Sequence, residues 1–297
     1  MTYALEMTRP QELDLSARTC IVTGANSGIG KEVARGLARY GAEVILACRN
    51  LERGRAALEE LQQDTGSSRL HLMQVDLSIQ GDVRRFAQDL LERFPAIHVL
   101  VNNAGIYPSE RRLTEDGIEE TWATNVMAYY LLTDLLLPRL RACAPSRIVN
   151  VASTRAGNLD EEDLSFERRP FWGVRAYEQS KQANRMLSWV RAEDLADSGV
   201  TVNVAHPGPV ATGIARHQTG IWGPIIRTGF RVFGRTPKQG ADTALWLASS
   251  PELEGASGKF YGKRRELPRS FYDPTRQKAL AQRCAELIQV SAPPQGQ

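Results

Sequence analysis

The chain has 297 residues, 42% hydrophobic and 24% charged, with 37 basic against 34 acidic side chains; that is an ordinary globular balance with room for a sizeable core. A net charge of +3 gives no argument for nucleic acid, and the scattered Cys20, Cys48, Cys143 and Cys284 have neither metal-ligand nor disulfide-framework spacing. The start of the chain has no signal-peptide core, so a reducing, cytoplasmic setting is expected.

Residues 1–16 read as a flexible polar tail. "TCIVTG" (19–24) then reads as a buried strand and "KEVARGLARYG" (31–41) as a helix stopped by Gly41. "EVILAC" (43–48) is a strand, residues 51–64 a helix, "LHLMQVDL" (70–77) a strand, and 82–94 a helix. "HVLVNN" (98–103) is the next strand. Residues 117–142 read as one long helix; its apolar part carries Asp134 and is too short to be a membrane span. "RIVNVAS" (147–153) is a strand, 176–197 a helix and "VTVNVAH" (200–206) a strand. A helix over 237–250 and a possible last strand, "GKFYG" (258–262), follow. "GKRRELPR" (262–269) reads as a solvated loop and 291–297 as a disordered tail. The strands are continuous apolar runs, which argues for burial on both faces. Strand–helix alternation then predicts a single α/β domain over 17–290. It is a Rossmann fold: a doubly wound parallel sheet of about seven strands with helices on both faces. Ligands in such a sheet bind at the carboxyl ends of the strands.

Two stretches at those ends carry chemistry. "TGANSGIG" (23–30) spaces Gly24, Gly28 and Gly30 between a strand and a helix. Glycines admit positive φ and leave a diphosphate free to approach the backbone at a helix amino terminus. Asn26, Ser27 and Ile29 belong to the same turn. "AYEQSK" (176–181) puts Tyr177 and Lys181 one helical turn apart, on one face. At the tip of the second strand, "ILACRN" has Cys48 where NAD enzymes place an acid, followed by Arg49. Arg49 could grip a 2′-phosphate, which predicts NADP(H), or simply point into water.

With T-G-x-x-x-G-x-G in place, the chain resembles the short-chain dehydrogenase/reductase family. The resemblance continues in order through Asp76 and Leu77, "NNAG" with Asn103, Ala104 and Gly105, Asn125, Ser153, Tyr177, Lys181, and Pro207-Gly208. It implies that Tyr177 is the acid/base and that Ser153 donates to the substrate oxygen. Lys181 would lower the tyrosine pKa and hold the nicotinamide ribose. Asn125 would hold a water that links Lys181 to solvent. Asp76 would face adenine, although it could instead cap the following helix. Pro207, Gly208, Val210 and Thr212 would complete the cofactor site, with no metal.

"ILACRN", the insert at 155–175 and "PELEGASGKFY" resemble the retinol dehydrogenase-like branch. That implies an NADP(H)-dependent carbonyl–alcohol oxidoreductase for a bulky lipophilic substrate, and association as a homodimer or homotetramer. The segment 209–235 interleaves Ile221, Trp222, Ile225, Ile226, Phe230 and Phe233 with arginines. It reads as a substrate lid, as core packing, or as a peripheral membrane foot. His206 and His217 are given no chemistry. The rival readings are a ketoreductase of secondary metabolism and a catalytically idle NADP(H) sensor.

Overall fold

A computed structural model describes residues 13–210 and 235–290 of the chain. The first half runs β1 (Thr19–Thr23), α1 (Gly28–Arg39), β2 (Glu43–Cys48), α2 (Leu51–Thr65), β3 (Leu70–Gln74), α3 (Gln80–Arg93) and β4 (Val99–Asn102). The second half begins with α4 (Glu120–Trp122), a π turn (Ala123–Met127) and α5 (Ala128–Ala142). It continues with β5 (Ser146–Val151), α6 (Gly173–Asp194), β6 (Val200–His206), α7 (Pro237–Ser249), β7 (Lys259–Gly262), β8 (Arg265–Leu267) and α8 (Pro274–Val290).

The strands form one sheet in the order β3-β2-β1-β4-β5-β6-β7-β8. All neighbours are parallel except the β7–β8 hairpin. Their continuous apolar sequences have the predicted consequence. Ile21, Ile45, Leu100 and Ile148 face one core with α3, α5, α6 and α8. Cys20, Val22, Val44, Leu46, Val101 and Val149 face the other with α1 and α7. β1 pairs with β2 on one side and β4 on the other, so the chain order reverses there and a crevice opens at the strand ends.

Three sequence expectations need correction. The helix expected over 117–142 is interrupted by the π turn centred on Asn125. Asn125 bonds both backbone groups of Ile106, and Asn184 Nδ2 donates to its carbonyl at 2.8 Å; these partners compete with the regular helical ladder. The solvated loop at 262–269 contains β8, a three-residue edge strand too short and charged to show an alternating pattern. Finally, Leu15 is buried and its N–H donates to Tyr40 O at 2.7 Å, so the packed unit begins before residue 17. Helix α8 had no sequence counterpart. It buries Leu280, Cys284 and Ile288, one turn apart, against the α5–α6 core. The proposed lid falls outside the described residues except at its ends. Thr212, His217, residues 1–12 and residues 291–297 lie outside them too.

Candidate active site

The glycine turn shows why its residues are glycines. Gly24 and Gly28 have φ of +67° and +57°. A Cβ on Gly24 would sit 3.0 Å from Ala104 Cα; one on Gly30 would sit 2.4 Å from Asn103 Nδ2 and 2.5 Å from Gly24 O. The Asn103 side chain donates to Thr23 O at 2.8 Å, and Thr23 Oγ1 accepts from the N–H groups of Asn103 and Ala104. The β1 and β4 turns are thus locked together. Ser27 precedes α1 without a side-chain cap, so the first N–H groups of the helix face the crevice with their partial positive charge.

A cleft of about 270 Å³ lies there, lined by Gly24, Asn26, Ser27, Gly28 and Ile29 from the turn. Arg49, Asp76, Leu77, Asn103, Ala104 and Gly105 line the remainder. Asn50, Arg53, Val75, Ile106 and Thr124 also line it and were missed. Arg53 lies in the first turn of α2, where its N–H donates to the N-cap Asn50 Oδ1 at 2.8 Å. Arg49 Nη1 lies 3.6 Å from Asp76 Oδ2. Asp76 Oδ1 also accepts from Ser78 N and Oγ at 3.0 and 2.6 Å. Asp76 therefore shapes its own turn as well as lining the cleft. Gly30 sits behind the cleft as a packing residue.

Ser153, Tyr177 and Lys181 come together beyond Gly105. Lys181 Nζ donates to Val151 O at 3.0 Å and lies 5.6 Å from the centre of the Tyr177 ring. A Cβ on Gly105 would sit 3.7 Å from Nζ, so the ammonium reaches the end of the cleft. Tyr129, which the sequence reading missed, lies under Lys181 at 5.7 Å and donates from its hydroxyl to Ala104 O at 2.7 Å. It follows Asn125 by four residues, just past the end of the π turn.

Electrostatics depart from the expectation that Lys181 lowers the tyrosine pKa. Burial pushes the Tyr177 phenol up to about 12, against the lowering effect of its hydrogen bond with Ser153 and of Arg155. Burial also pulls Lys181 down to about 8. Desolvation outweighs attraction because both groups are withdrawn from water. The Asn125 amide N–H pair is spent on Ile106 O and Ser180 Oγ, at 3.1 and 3.0 Å. The Asn125–Ser180 bond ties the π turn to α6, where Ser180 Oγ in turn donates to Tyr177 O at 2.7 Å.

The insert forms a wall next to Tyr177. Glu178 holds Arg155 Nε at 3.0 Å and Asn158 Nδ2 at 2.8 Å. The buried Asp163 carboxylate accepts from the N–H groups of Glu167, Arg168 and Arg169. Tyr107 packs on Tyr177 with ring centres 5.4 Å apart. Pro207 and Gly208 follow β6: Pro207 O accepts from Arg235 Nη1 at 3.2 Å, and Gly208 has φ +81° and abuts the same arginine. Val210 packs on Gly240, next to Ile29. His206 ends β6 and bonds Thr154; burial, with Arg235 and Arg185 nearby, lowers its pKa to about 4, so it stays neutral. Among the described residues no His, Cys, Asp and Glu group is arranged for a metal.

This arrangement defines a nucleotide-dependent oxidoreductase fold, and comparison with known proteins agrees. Residues 18–220 match the family described as short chain dehydrogenase, and the chain belongs to it. Human retinol dehydrogenase 13 is 38% identical over 259 residues, covering 85% of this chain and 78% of that protein. A protein of known structure from Mycobacterium paratuberculosis superposes with a TM-score of 0.74 at 31% identity, covering 94% of this chain and 97% of that one. A short chain dehydrogenase from Burkholderia cenocepacia, solved with NADP, has a TM-score of 0.66 at 27% identity, covering 84% of this chain and 96% of that one. Within the family the chain falls in the retinol dehydrogenase-like branch.

Proposed function

We propose that the protein is an NADP(H)-dependent oxidoreductase that interconverts a carbonyl and an alcohol on a bulky lipophilic substrate. The observation that carries this reading is the Ser153–Tyr177–Lys181 group at the end of a cleft whose adenosine side bears Arg49 and Arg53. The residues suit a nicotinamide dinucleotide. The uncapped α1 amino terminus and the glycine turn would hold its diphosphate. Arg49 and Arg53 would hold a 2′-phosphate, with Cys48 in place of a repelling acid. When bound, the cofactor supplies hydride.

The chain's own groups handle the proton. Tyr177, protonated across neutral pH, donates to the substrate oxygen as charge develops there, and Ser153 Oγ shares that oxygen. Lys181, close to its own pKa, restores the tyrosine proton. The Asn125 amide N–H pair is committed to protein partners and its carbonyl accepts from Asn184, so a water held there would use the carbonyl's second lone pair. Tyr107, packed on Tyr177, would offer an aromatic face to the substrate. Pro207, Gly208, Val210 and Thr212 would close the nicotinamide side, and 209–235 would serve as the lid.

The homologous retinol dehydrogenases support a lipophilic carbonyl substrate. No helix among the described residues is long and apolar enough to cross a membrane, and a cytoplasmic location with at most peripheral membrane contact fits. A homodimer or homotetramer fits the family resemblance. Coenzyme choice is tested by comparing kcat/KM for NADPH and NADH in wild type and Arg49→Ala. Loss of a charge-assisted phosphate contact predicts a fall of about tenfold or more for NADPH, with NADH little changed. Equal losses with both would remove Arg49 from phosphate recognition.

A further inference from the structure

A second cavity is roomier than the nucleotide cleft. It measures about 810 Å³ and opens at the opposite edge of the sheet, where Arg18, Val99, Arg147 and Val200 mark the amino ends of β1, β4, β5 and β6. Its walls include Leu13, Leu15, Leu195 and Ala248.

Two guanidinium groups line this cavity. β1 and β5 both flank β4, with Cys20 and Arg147 each in register with Val99. Arg18 has the same strand parity as Cys20, and Arg147 the same as Val149. Both side chains therefore leave on the sheet face covered by α1 and α7. Arg18 Nη1 donates to Pro145 O at 3.0 Å, and Arg147 Nη1 to Leu247 O at 3.1 Å. Neither arginine forms an ion pair among the described residues, although each carries five N–H donors. Burial lowers the Arg147 pKa; Glu254 acts against this and Arg18 adds to it. The two guanidinium groups, with donors to spare, form the acceptor-seeking end of a lining that also carries Asp14, Asp197 and Glu254.

The lining also selects among anions. Asp14, Asp197 and Glu254 line the same cavity and would repel a dianion more than a monoanion. A planar carboxylate matches the guanidinium fork. The leucine and valine walls suit a hydrocarbon tail. We propose that this cavity is a second small-molecule site, which takes a monocarboxylate with a short apolar tail against Arg18 and Arg147. The site is independent of the proposed reaction and faces away from the nucleotide cleft.

Calorimetric titration of the full chain with octanoate tests this, with octanol and inorganic phosphate as controls. Saturable octanoate binding is expected, undiminished by saturating NADPH, with neither control binding comparably. Arg147→Gln and Arg18→Gln should each weaken it by about tenfold or more, the loss expected for a charge-assisted bond. Arg18 lies at the entry to β1, outside the strand ladder, so its variant tests the site even where Arg147→Gln disturbs the fold. Four results would overturn the proposal: no saturable binding, displacement by NADPH, phosphate binding as tightly as octanoate, or unchanged binding in a folded Arg18→Gln.

Discussion

Lys181 illustrates a conflict between stability and chemistry at a single residue. Its pKa falls from the ordinary 10.5 to about 8 through burial. The unfolded chain therefore binds more protons between those values, and stability rises with pH across that window. Below about pH 8 the full cost of the buried ammonium is present, on the order of 3 kcal/mol at most. In the nucleotide-free protein, Lys181→Met is expected to raise Tm by a few degrees at pH 7 while abolishing turnover. The Tm difference should shrink as pH rises through the window. A lower Tm at pH 7 would show that the bond to Val151 O outweighs desolvation. Gly173 makes a second residue-scale case. A Cβ there would sit 2.0 Å from Pro108 O and 3.5 Å from Tyr107 Cε2. Gly173→Ala must push away the loop that places Tyr107 on Tyr177. Steady-state kinetics should show kcat/KM down by about tenfold or more, the cost of misplacing a reacting group by an ångström. Unchanged kinetics would mean that the loop shifts without disturbing Tyr177.

Among the elements, the insert between β5 and α6 gains order from one buried carboxylate. Burial alone would raise the Asp163 pKa, but the N–H groups of Glu167, Arg168 and Arg169, with the Arg169 charge, bring it below its usual value. Its stabilisation is present above the unfolded pKa of 3.8 and is lost as pH falls through the lower folded value. Asp163→Asn should speed amide exchange across 158–172 by roughly tenfold or more, because charge-assisted bonds are lost. Exchange confined to wild-type rates would show that Glu178 alone holds the wall. From sequence this segment could be read only as a loop beside the pocket. Its order comes from contacts between distant residues, such as Gln179 Nε2 with Leu164 O, which have no periodic signature. The π turn was hidden for the same reason: Asn125 looks helical until Ile106 and Asn184 are brought to it.

Across the whole molecule, the sheet was legible because its strands are buried on both faces and read as unbroken apolar runs. The crevice followed from the order of those runs, and the glycine turn marked its floor. Less legible was what folding alone brings near: Tyr129 beneath Lys181, Arg53 beside the cleft, and α8 sealing the α5–α6 core. Burial is the largest influence on the Tyr177 pKa and raises it, against the lowering expected from Lys181. The proposed function makes Tyr177 the group that moves the proton. The most direct measurement is NADPH oxidation over carbonyls from small aliphatic to steroid-sized, with wild type and Tyr177→Phe side by side. Turnover favouring bulky apolar carbonyls, lost in the variant by a factor of about a hundred or more, is the expected result. Wild-type rates in Tyr177→Phe, or NADPH binding without turnover of any carbonyl, would contradict the account.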